Sequence, residues 1–383
     1  MKVLIYVQHL LGTGHVVRAV ALARELQRRD HIVTLVSGNR VPATLNVSDL
    51  TVRQLPPVSA PDATFTDLVD ANGETITDAW REDRARALLD IFEAENPDIL
   101  ITETFPLGRR QFAFELFPVL EAAKARKRAP LIACSVRDIL VRKNDARKEL
   151  WMADTVNSFY DLVLVHADPS FVRLEDSFPY SESISALVRY TGYVHEQNEP
   201  APPSQDGDDE IIVSSGGGAV GLQLLRTAIK ARRQSTSAGD AKWRLLVGNN
   251  HPDEVFEELR SNADHGIIVE RVRPDFQDLL TRARLSVSQA GYNTVLDVIA
   301  AKCPAVFVPF EEESESEQVL RAELLKERGL CQVVREAKLS KKRLAKAIDK
   351  ALNQSHSTAQ VHMDGAAAAA DILTQEAERR FGR

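Results

Sequence analysis

The sequence predicts an α/β protein built from two Rossmann-like, doubly wound domains, each with a parallel sheet covered by helices. The chain has 383 residues, which exceeds the length of a usual single domain. Short runs rich in β-branched residues alternate with longer segments of helical periodicity in both halves of the chain. Between the halves, the segment 196–209 (EQNEPAPPSQDGDD) contains prolines and acids but no large apolar residue, as is typical of a solvated connector.

Each half contributes its own series of predicted strands. The first series lies at 2–7, 32–37, 51–55, 98–102, 131–136, 162–166 and 188–194. The second series lies at 210–214, 243–247, 266–270, 285–288, 305–309 and 331–334. Strands that alternate with helices pair in parallel, and open parallel sheets bind ligands at the carboxyl ends of their strands. We therefore expect a ligand-binding cleft between the two domains.

The acidic connector sets the predicted domain boundaries. The first domain covers 1–195, the connector covers 196–209, and the second domain covers 210–364. Residues 365–383 begin with a run of alanines and have a polar end, which predicts a closing helix that packs back across the domain junction.

The composition excludes several classes of protein. A hydrophobic fraction of 44% and a charged fraction of 27% are typical of a soluble globular protein, and no apolar run approaches the roughly 18 residues of a membrane span. The formal charge of -7 provides no general attraction for nucleic acid. The apolar opening residues lack the cleavage site of a signal peptide, and Cys134, Cys303 and Cys331 lack metal-ligand spacing. We expect a cytoplasmic protein with buried, reduced cysteines.

A glycine turn follows the first predicted strand and leads into a helix. Gly12 and Gly14 allow main-chain amides to approach a ligand, and the helix N-terminus favours an anion. The turn lacks the third glycine and the later acid of the dinucleotide fingerprint, so NAD binding is not expected. His15 can act as a general base on a hydroxyl or bind a phosphate, because its ordinary pKa lies near the working pH. The alternative role for His15 is a polar helix cap.

Two loops of the second half have the composition of a nucleotide site. Residues 214–219 (SSGGGA) end a strand and open a helix, and their amides and hydroxyls suit a diphosphate, although a flexible turn is the alternative. In the segment 288–297 (SQAGYNTVLD), Asp297 lies about two turns into a helix. A carboxylate there can accept hydrogen bonds from both hydroxyls of a ribose, but a lone acid on a helix more often lies on the surface. After the next strand, Glu317 and its neighbours begin a helix whose polar side chains could bind sugar hydroxyls.

Taken together, these motifs make nearly the full chain similar to glycosyltransferase family 28, the group that includes the MurG-type N-acetylglucosaminyltransferases. The corresponding segments are GTGH at 12–15, SSGGGA at 214–219, SQAGYNTVLD at 288–297 and EQVLRA at 317–322. The resemblance implies the GT-B fold, with a nucleotide-diphosphate sugar, expected to be a UDP-sugar, in the C-terminal half. It also implies an acceptor in the N-terminal half.

The resemblance implies roles for individual residues. Asp297 takes the place of the glutamate that binds the ribose, and Gln318 takes the place of a contact to the donor sugar. Arg273 stands where an apolar residue is usual near the base. Arg321 replaces the asparagine that helps to choose the sugar, and a guanidinium there would suit an acidic, uronic-acid donor. The other expected donor-binding residues are Gly12, Gly14, Ser215, Gly216, Gly217, Gly218, Val272, Gly291, Asn293, Thr294 and Glu317.

The reaction that the family implies is inverting. An acceptor hydroxyl, deprotonated by a base of the N-terminal half, attacks the anomeric carbon while amides and a helix dipole stabilise the leaving diphosphate. His15 is the first candidate for this base. Glu103 and Asp138, each at the end of a predicted strand, are the alternatives, and both could equally be structural caps. No Asp-x-Asp pair lies in a catalytic loop, so neither a metal nor a cofactor is expected.

Other interpretations of the same motifs remain open. The block GTGHVVRAVALAREL also resembles the N-terminal block of UDP-sugar hydrolases, in which water replaces the acceptor. A non-catalytic nucleotide-binding scaffold subunit is another alternative, and non-hydrolysing epimerases fit less well. The acceptor is expected to be a carbohydrate or a lipid-linked sugar of cell-surface glycan, polysaccharide or glycolipid synthesis. A basic cluster at 124–128 predicts peripheral contact with the inner face of the membrane, with a solvated helix end as the alternative.

Overall fold

The computed structural model describes residues 1–10, 13–43, 45–60, 67–142, 145–195, 204–216, 221–311, 317–354 and 361–382. The chain divides into two compact units. The first unit comprises Met1–Glu196 together with His362–Arg383, and the second comprises Gln197–Val361.

The first unit contains a seven-stranded parallel sheet with the order β3-β2-β1-β4-β5-β6-β7. Its strands are β1 (Lys2–Val7), β2 (Ile32–Ser37), β3 (Thr51–Gln54), β4 (Ile99–Glu103), β5 (Leu131–Arg137), β6 (Leu162–His166) and β7 (Val188–Tyr190). The central strands are buried along almost their whole length, as expected for a sheet with helices on both faces. The connecting helices are α1 (Gly14–Gln27), α2 (Asp78–Glu95), α3 (Ala113–Ala125) and α4 (Ala146–Phe159).

The second unit contains a six-stranded parallel sheet with the order β10-β9-β8-β11-β12-β13. Its strands are β8 (Ile211–Ser214), β9 (Trp243–Val247), β10 (Ile267–Arg271), β11 (Leu285–Ser288), β12 (Ala305–Phe307) and β13 (Gln332–Val333). Its helices are α5 (Leu222–Ala231), α6 (Asp253–Asn262), α7 (Phe276–Arg282), α8 (Tyr292–Ala300), α9 (Glu317–Glu327) and α10 (Lys341–Asn353). This strand order is that of a Rossmann domain.

The C-terminal helix α11 (Gly365–Phe381) belongs to the first unit. Its small, buried side chains, such as Ala369 and Ala370, join the hydrophobic core formed by α1 and the strands of that unit. Arg29, two residues after α1, also forms an ion pair with Asp371 at 2.7 Å. The first unit is therefore built from both ends of the chain.

The predicted fold class is confirmed, because both units are parallel, doubly wound α/β sheets. Each predicted strand is present, and the segment 188–194 forms only the three-residue strand β7. Residues 204–209, which the sequence assigns to a solvated connector, belong to the second unit. Asp206 accepts hydrogen bonds from Arg273 at 2.6 Å and from Arg244 at 2.9 Å. No helix within the described ranges is both long and apolar enough to cross a membrane.

Candidate functional site

Each unit presents a candidate site at the point where its strand order reverses. In the first unit this point lies between β1 and β4, and in the second it lies between β8 and β11. Loops that leave neighbouring parallel strands in opposite directions open a crevice at the carboxyl ends, where ligands of such sheets bind. The glycine turn at 12–15 and the loop at 214–219 both follow the first strand of their sheet.

In the first unit, the structure brings His15 onto Glu103. His15 lies in the first turn of α1, and its Nδ1 is 3.0 Å from Oε1 of Glu103, the last residue of β4. The Glu103 side chain is 1% exposed and the imidazole is 15% exposed. Arg18, one helical turn after His15, is buried and forms an ion pair with the same carboxylate. The Thr104 hydroxyl is also 3.0 Å from Nδ1 of His15.

The surroundings of this pair define its protonation state. Burial alone would raise the pKa of Glu103, but the charge of Arg18 and the hydrogen bond with His15 outweigh it, so the pKa lies well below its ordinary value. An ionised carboxylate can only accept, so the contact with Glu103 Oε1 places the imidazole proton on Nδ1 and leaves Nε2 as an acceptor. Arg18 Nη2, which can only donate, lies 3.2 Å from the same Nδ1, but the shorter contact with the charged carboxylate sets the tautomer. Burial lowers the pKa of His15 to about 3, so the ring is neutral near pH 7. This is the form of an imidazole that acts as a general base.

Asp138, the third candidate base, follows β5 and is fully buried. Its Oδ1 accepts a hydrogen bond from the backbone N–H of Ile139 at 2.9 Å. This is a local contact with the neighbouring residue, and the next helix begins only at Ala146, so both roles for Asp138 stay predictions.

In the second unit, the loop after β8 offers a buried hydroxyl. Ser215 is 1% exposed, and its Oγ has no hydrogen-bond partner among the described residues. Gly216 has φ +72 and donates its N–H to the Ser214 hydroxyl at 3.1 Å. Gly221, with φ +89, packs so closely that a Cβ there would lie 2.8 Å from that of Ser215. Gly217 and Gly218, and Gly12 in the first unit, lie outside the described residues.

The loop after β11 adds main-chain donors from the start of α8. Gly291 is the N-cap of α8, so no side chain caps this helix. The space beside Gly291 is open, because a Cβ there would meet no atom within 4 Å. The first amides of an α-helix, such as those of Asn293 and Thr294, have no partner within the helix. Asn293 is exposed and Thr294 is half-buried. The Ser288 hydroxyl, paired in register with Ser214, is buried and lacks a partner among the described residues. Such a group of amides and hydroxyls can bind an anion.

Asp297 lies on α8, two turns from Gly291, and is half-buried. Its Oδ1 accepts a hydrogen bond from Gln277 Nε2 of α7 at 2.8 Å. This contact orients the carboxylate, and it was not predicted from the sequence. Gln318 of α9 accepts a hydrogen bond from the N–H of Phe310 at 3.1 Å, and Glu317 beside it is buried.

Arg321 is 2% exposed and supports the loop before α8. Its Nη1 donates to the carbonyl oxygen of Ala290 at 2.8 Å, and its guanidinium lies 5.7 Å from the centre of the Tyr292 ring. This hydrogen bond uses one of the five N–H donors of the guanidinium, and the uronic-acid donor stays a prediction.

Arg273 is held by carboxylates. It forms two hydrogen bonds with Asp275, at 2.8 and 2.7 Å, and one with Asp206 at 2.6 Å. The hydrogen bond with Asp275 is the largest cause that raises the pKa of Arg273 above its ordinary value. Val272, which precedes it, donates its N–H to the Val247 carbonyl oxygen at 3.0 Å and so extends the pairing of β10 with β9.

The basic cluster at 124–128 is largely neutralised by ion pairs. Arg126 contacts Glu93 at 2.8 Å, and Arg128 contacts Asp98 at 3.2 Å. Lys124 lies 3.8 Å from Asp161. These contacts favour a solvated helix end over a lipid-binding patch, and membrane contact stays a prediction. Among the described residues, no group of three or more His, Cys, Asp or Glu side chains could hold a metal ion.

Further candidate residues, which were not predicted from the sequence, lie around Glu103. Arg18 is one of them, because it is buried against the Glu103 carboxylate. Ser135 of β5 and His166 of β6 extend the same group of contacts. The available signal was a polar residue at or near the carboxyl end of an otherwise apolar strand, as in LVLVH at 162–166.

The chain is similar in sequence to glycosyltransferases. Residues 212–375 match the family model of the glycosyltransferase family 28 C-terminal domain. The chain is 26% identical over 371 residues to an Erythrobacter litoralis protein named UDP-N-acetylglucosamine--N-acetylmuramyl-(pentapeptide) pyrophosphoryl-undecaprenol N-acetylglucosamine transferase, an alignment that covers 92% of this chain and 83% of the relative.

Solved structures share the fold at low sequence identity. The Acinetobacter baumannii MurG structure has a TM-score of 0.58 and 14% identity, covering 98% of this chain and 100% of that protein. A Listeria monocytogenes structure, described as a candidate UDP-N-acetylglucosamine 2-epimerase, has a TM-score of 0.67 and 13% identity, covering 100% and 97%. At these identities the likeness shows the fold alone. The chain is a glycosyltransferase of the GT-B fold, and its residues 212–375 match the C-terminal domain of glycosyltransferase family 28.

Proposed function

We propose that this enzyme transfers a sugar, with inversion, from a UDP-sugar to a hydroxyl of a lipid-linked or otherwise phosphorylated carbohydrate acceptor. The observation that carries the proposal is the hydrogen-bonded pair of His15 and the buried Glu103 at the carboxyl edge of the first sheet. His15 takes the proton from the acceptor hydroxyl on Nε2, and Glu103 stabilises the imidazolium that forms. The hydroxyl oxygen then attacks the anomeric carbon as the bond to the diphosphate breaks.

The second unit binds the donor in this proposal. The Ser215 hydroxyl, the backbone at Gly216 and the first-turn amides of α8 bind the diphosphate and stabilise its charge as it leaves. Asp297, oriented by Gln277, accepts hydrogen bonds from the ribose hydroxyls. The name of the Erythrobacter relative, which specifies a UDP-sugar, favours uracil as the base. Because the amides supply the positive potential, the reaction needs no metal, and rates with EDTA should equal those without it.

Two arginines of the first unit favour an anionic acceptor. Burial and then the like charge of Arg137 lower the pKa of Arg109 to about 10. The Arg109 charge also adds to the burial that lowers the pKa of His15. Guanidinium charges that act on one another and on the proposed base suit a phosphate or diphosphate. The Erythrobacter relative is named for a pyrophosphoryl-undecaprenol acceptor, which has this chemistry.

Asp297→Ala should weaken UDP binding about tenfold, because the ribose hydroxyls lose their acceptor. Thermal unfolding of the wild type and the variant with UDP, GDP and dTDP measures this, since a ligand at 100 times its Kd adds about 2.7 kcal/mol to the free energy of unfolding. The matched control is Glu254→Ala, which removes an exposed carboxylate of the same unit. If no nucleotide stabilises the wild type, the donor site is wrong.

The pH profile of transfer should lack the titration of an ordinary histidine. Only neutral His15 can accept a proton, and burial lowers its pKa to about 3, so the base form persists well below pH 6.5. We expect kcat/KM to stay level from about pH 8 to about pH 5 and to fall only at lower pH. An acid limb with a midpoint near the ordinary histidine pKa would contradict a buried base.

A further inference from the structure

A chain of buried polar side chains continues behind Glu103 across the first sheet. Ser135 Oγ lies 2.6 Å from Oε2 of Glu103, and His166 Nε2 lies 2.9 Å from Ser135 Oγ. Thr191 Oγ1 lies 2.8 Å from His166 Nδ1. All four residues are buried, and Ser135 is the register partner of Glu103 in the pairing of β4 with β5. The chain therefore runs sideways through the sheet from the proposed base.

Each hydrogen bond in this chain has a defined direction. The Glu103 carboxylate can only accept, so the Ser135 hydroxyl donates to it. The Ser135 oxygen then accepts from His166, which assigns the His166 proton to Nε2. Burial lowers the pKa of His166 to about 3, so this ring is neutral and its Nδ1 accepts from the Thr191 hydroxyl.

The two oxygens of Glu103 have different partners. Oε2 accepts from the Ser135 hydroxyl at 2.6 Å and from Arg18 Nε at 3.4 Å. Oε1 faces Nδ1 of His15 at 3.0 Å and also accepts from Arg18 Nη2 and the Thr104 hydroxyl. Without the hydrogen bond from Ser135, the Glu103 carboxylate would lose a neutral donor that helps to fix its orientation. A tilted carboxylate would no longer select one tautomer of the imidazole.

We propose that Ser135 and His166 are positioning residues that hold Glu103 so that His15 keeps its proton on Nδ1 and presents Nε2 to the acceptor. This inference rests on the proposed function, because it assigns these residues to the same base. Burying an imidazole and a hydroxyl in these strands costs free energy, and leucine or valine could fill the same positions without that cost. Strand β6 reads LVLVH, so His166 is the one polar residue in an otherwise apolar strand.

The test combines kinetics with a direct measurement of the His15 tautomer. Ser135→Ala and His166→Leu should each lower kcat about tenfold, the effect of one hydrogen bond. The KM for the UDP-sugar should not change, because the donor loops belong to the second unit. His166→Gln keeps an amide donor near the position of Nε2 and should restore kcat to within about twofold. Tyr160→Phe, which removes a buried hydroxyl bonded to Thr102 at 2.9 Å, is the matched control and should leave kcat unchanged.

A double-variant cycle separates positioning from a general structural effect. In a Glu103→Gln background, His166→Leu should cause no further loss of kcat, because its effect passes through the carboxylate. An equal loss in both backgrounds would overturn the proposal.

The ring nitrogen signals of His15, measured by nuclear magnetic resonance, provide a readout that does not depend on activity. The wild type and His166→Gln should show the Nδ1–H tautomer, whereas Ser135→Ala and His166→Leu should show a mixture. One unchanged tautomer in every variant would refute the positioning role. If the wild type transfers no sugar but the His15 tautomer changes in Ser135→Ala and His166→Leu as expected, the proposed function fails. The positioning role of Ser135 and His166 then still stands.

Discussion

Replacing His15 by alanine should lower kcat/KM for sugar transfer by about 100- to 10,000-fold, the contribution of a positioned general base. The loss should appear with every acceptor, since each acceptor hydroxyl must lose its proton as it attacks. UDP binding, measured by thermal unfolding, should be unchanged, because the donor loops lie in the second unit.

The matched control for this variant is His265→Ala, which removes an exposed imidazole. It should retain wild-type kinetics. Transfer by His15→Ala within tenfold of wild type would show that another group accepts the proton.

Replacing Arg84 by methionine should lower the free energy of unfolding of the first unit by about 3 to 5 kcal/mol, because it leaves a buried carboxylate without its partner. Arg84 is fully buried on α2 and contacts both oxygens of Glu115, at 2.5 and 3.1 Å. It also donates to Gln8 Oε1 at 2.6 Å and to the Gly38 carbonyl oxygen at 2.9 Å. The Tyr6 hydroxyl donates to the same carboxylate. The cluster thus ties α2 and α3 to β1 and to the loop after β2.

Calorimetry of the first unit's transition measures this loss. Arg81→Met, one turn earlier on α2, removes an exposed ion pair with Asp78 and should cost no more than about 1 kcal/mol. The double variant Arg84→Met with Glu115→Leu should recover part of the loss, because no charge then remains buried. Equal effects of Arg84→Met and Arg81→Met would contradict this account of the cluster.

The fold could be predicted because its signals are local. A strand such as β6 is a continuous apolar run, and α1 has apolar residues at helical spacing after a glycine turn. Helix α11 was also predicted, but the surface that it covers was not. Its alanines indicate a helix equally well on either unit, and only the tertiary structure shows that they pack on α1.

The candidate site was only partly predictable because its contacts join distant residues. His15 and Glu103 were each proposed as a base, yet they act on one another across 88 positions, a relation that depends on β4 lying beside β1. The burial of individual side chains could not be predicted from the sequence either. Arg321 looked like a sugar contact in sequence, whereas in the structure it is 2% exposed and holds the Ala290 carbonyl oxygen.

The central claim is transfer to an acceptor hydroxyl, and the most direct test follows the sugar of a labelled UDP-sugar with and without acceptor. The acceptors are a sugar linked to a polyprenyl diphosphate and the same sugar without phosphate. We predict that UDP release requires acceptor, that the label appears in the acceptor, and that the diphosphate form reacts faster. Release of free labelled sugar at the same rate without acceptor, or UDP binding with no turnover on either acceptor, would contradict the account.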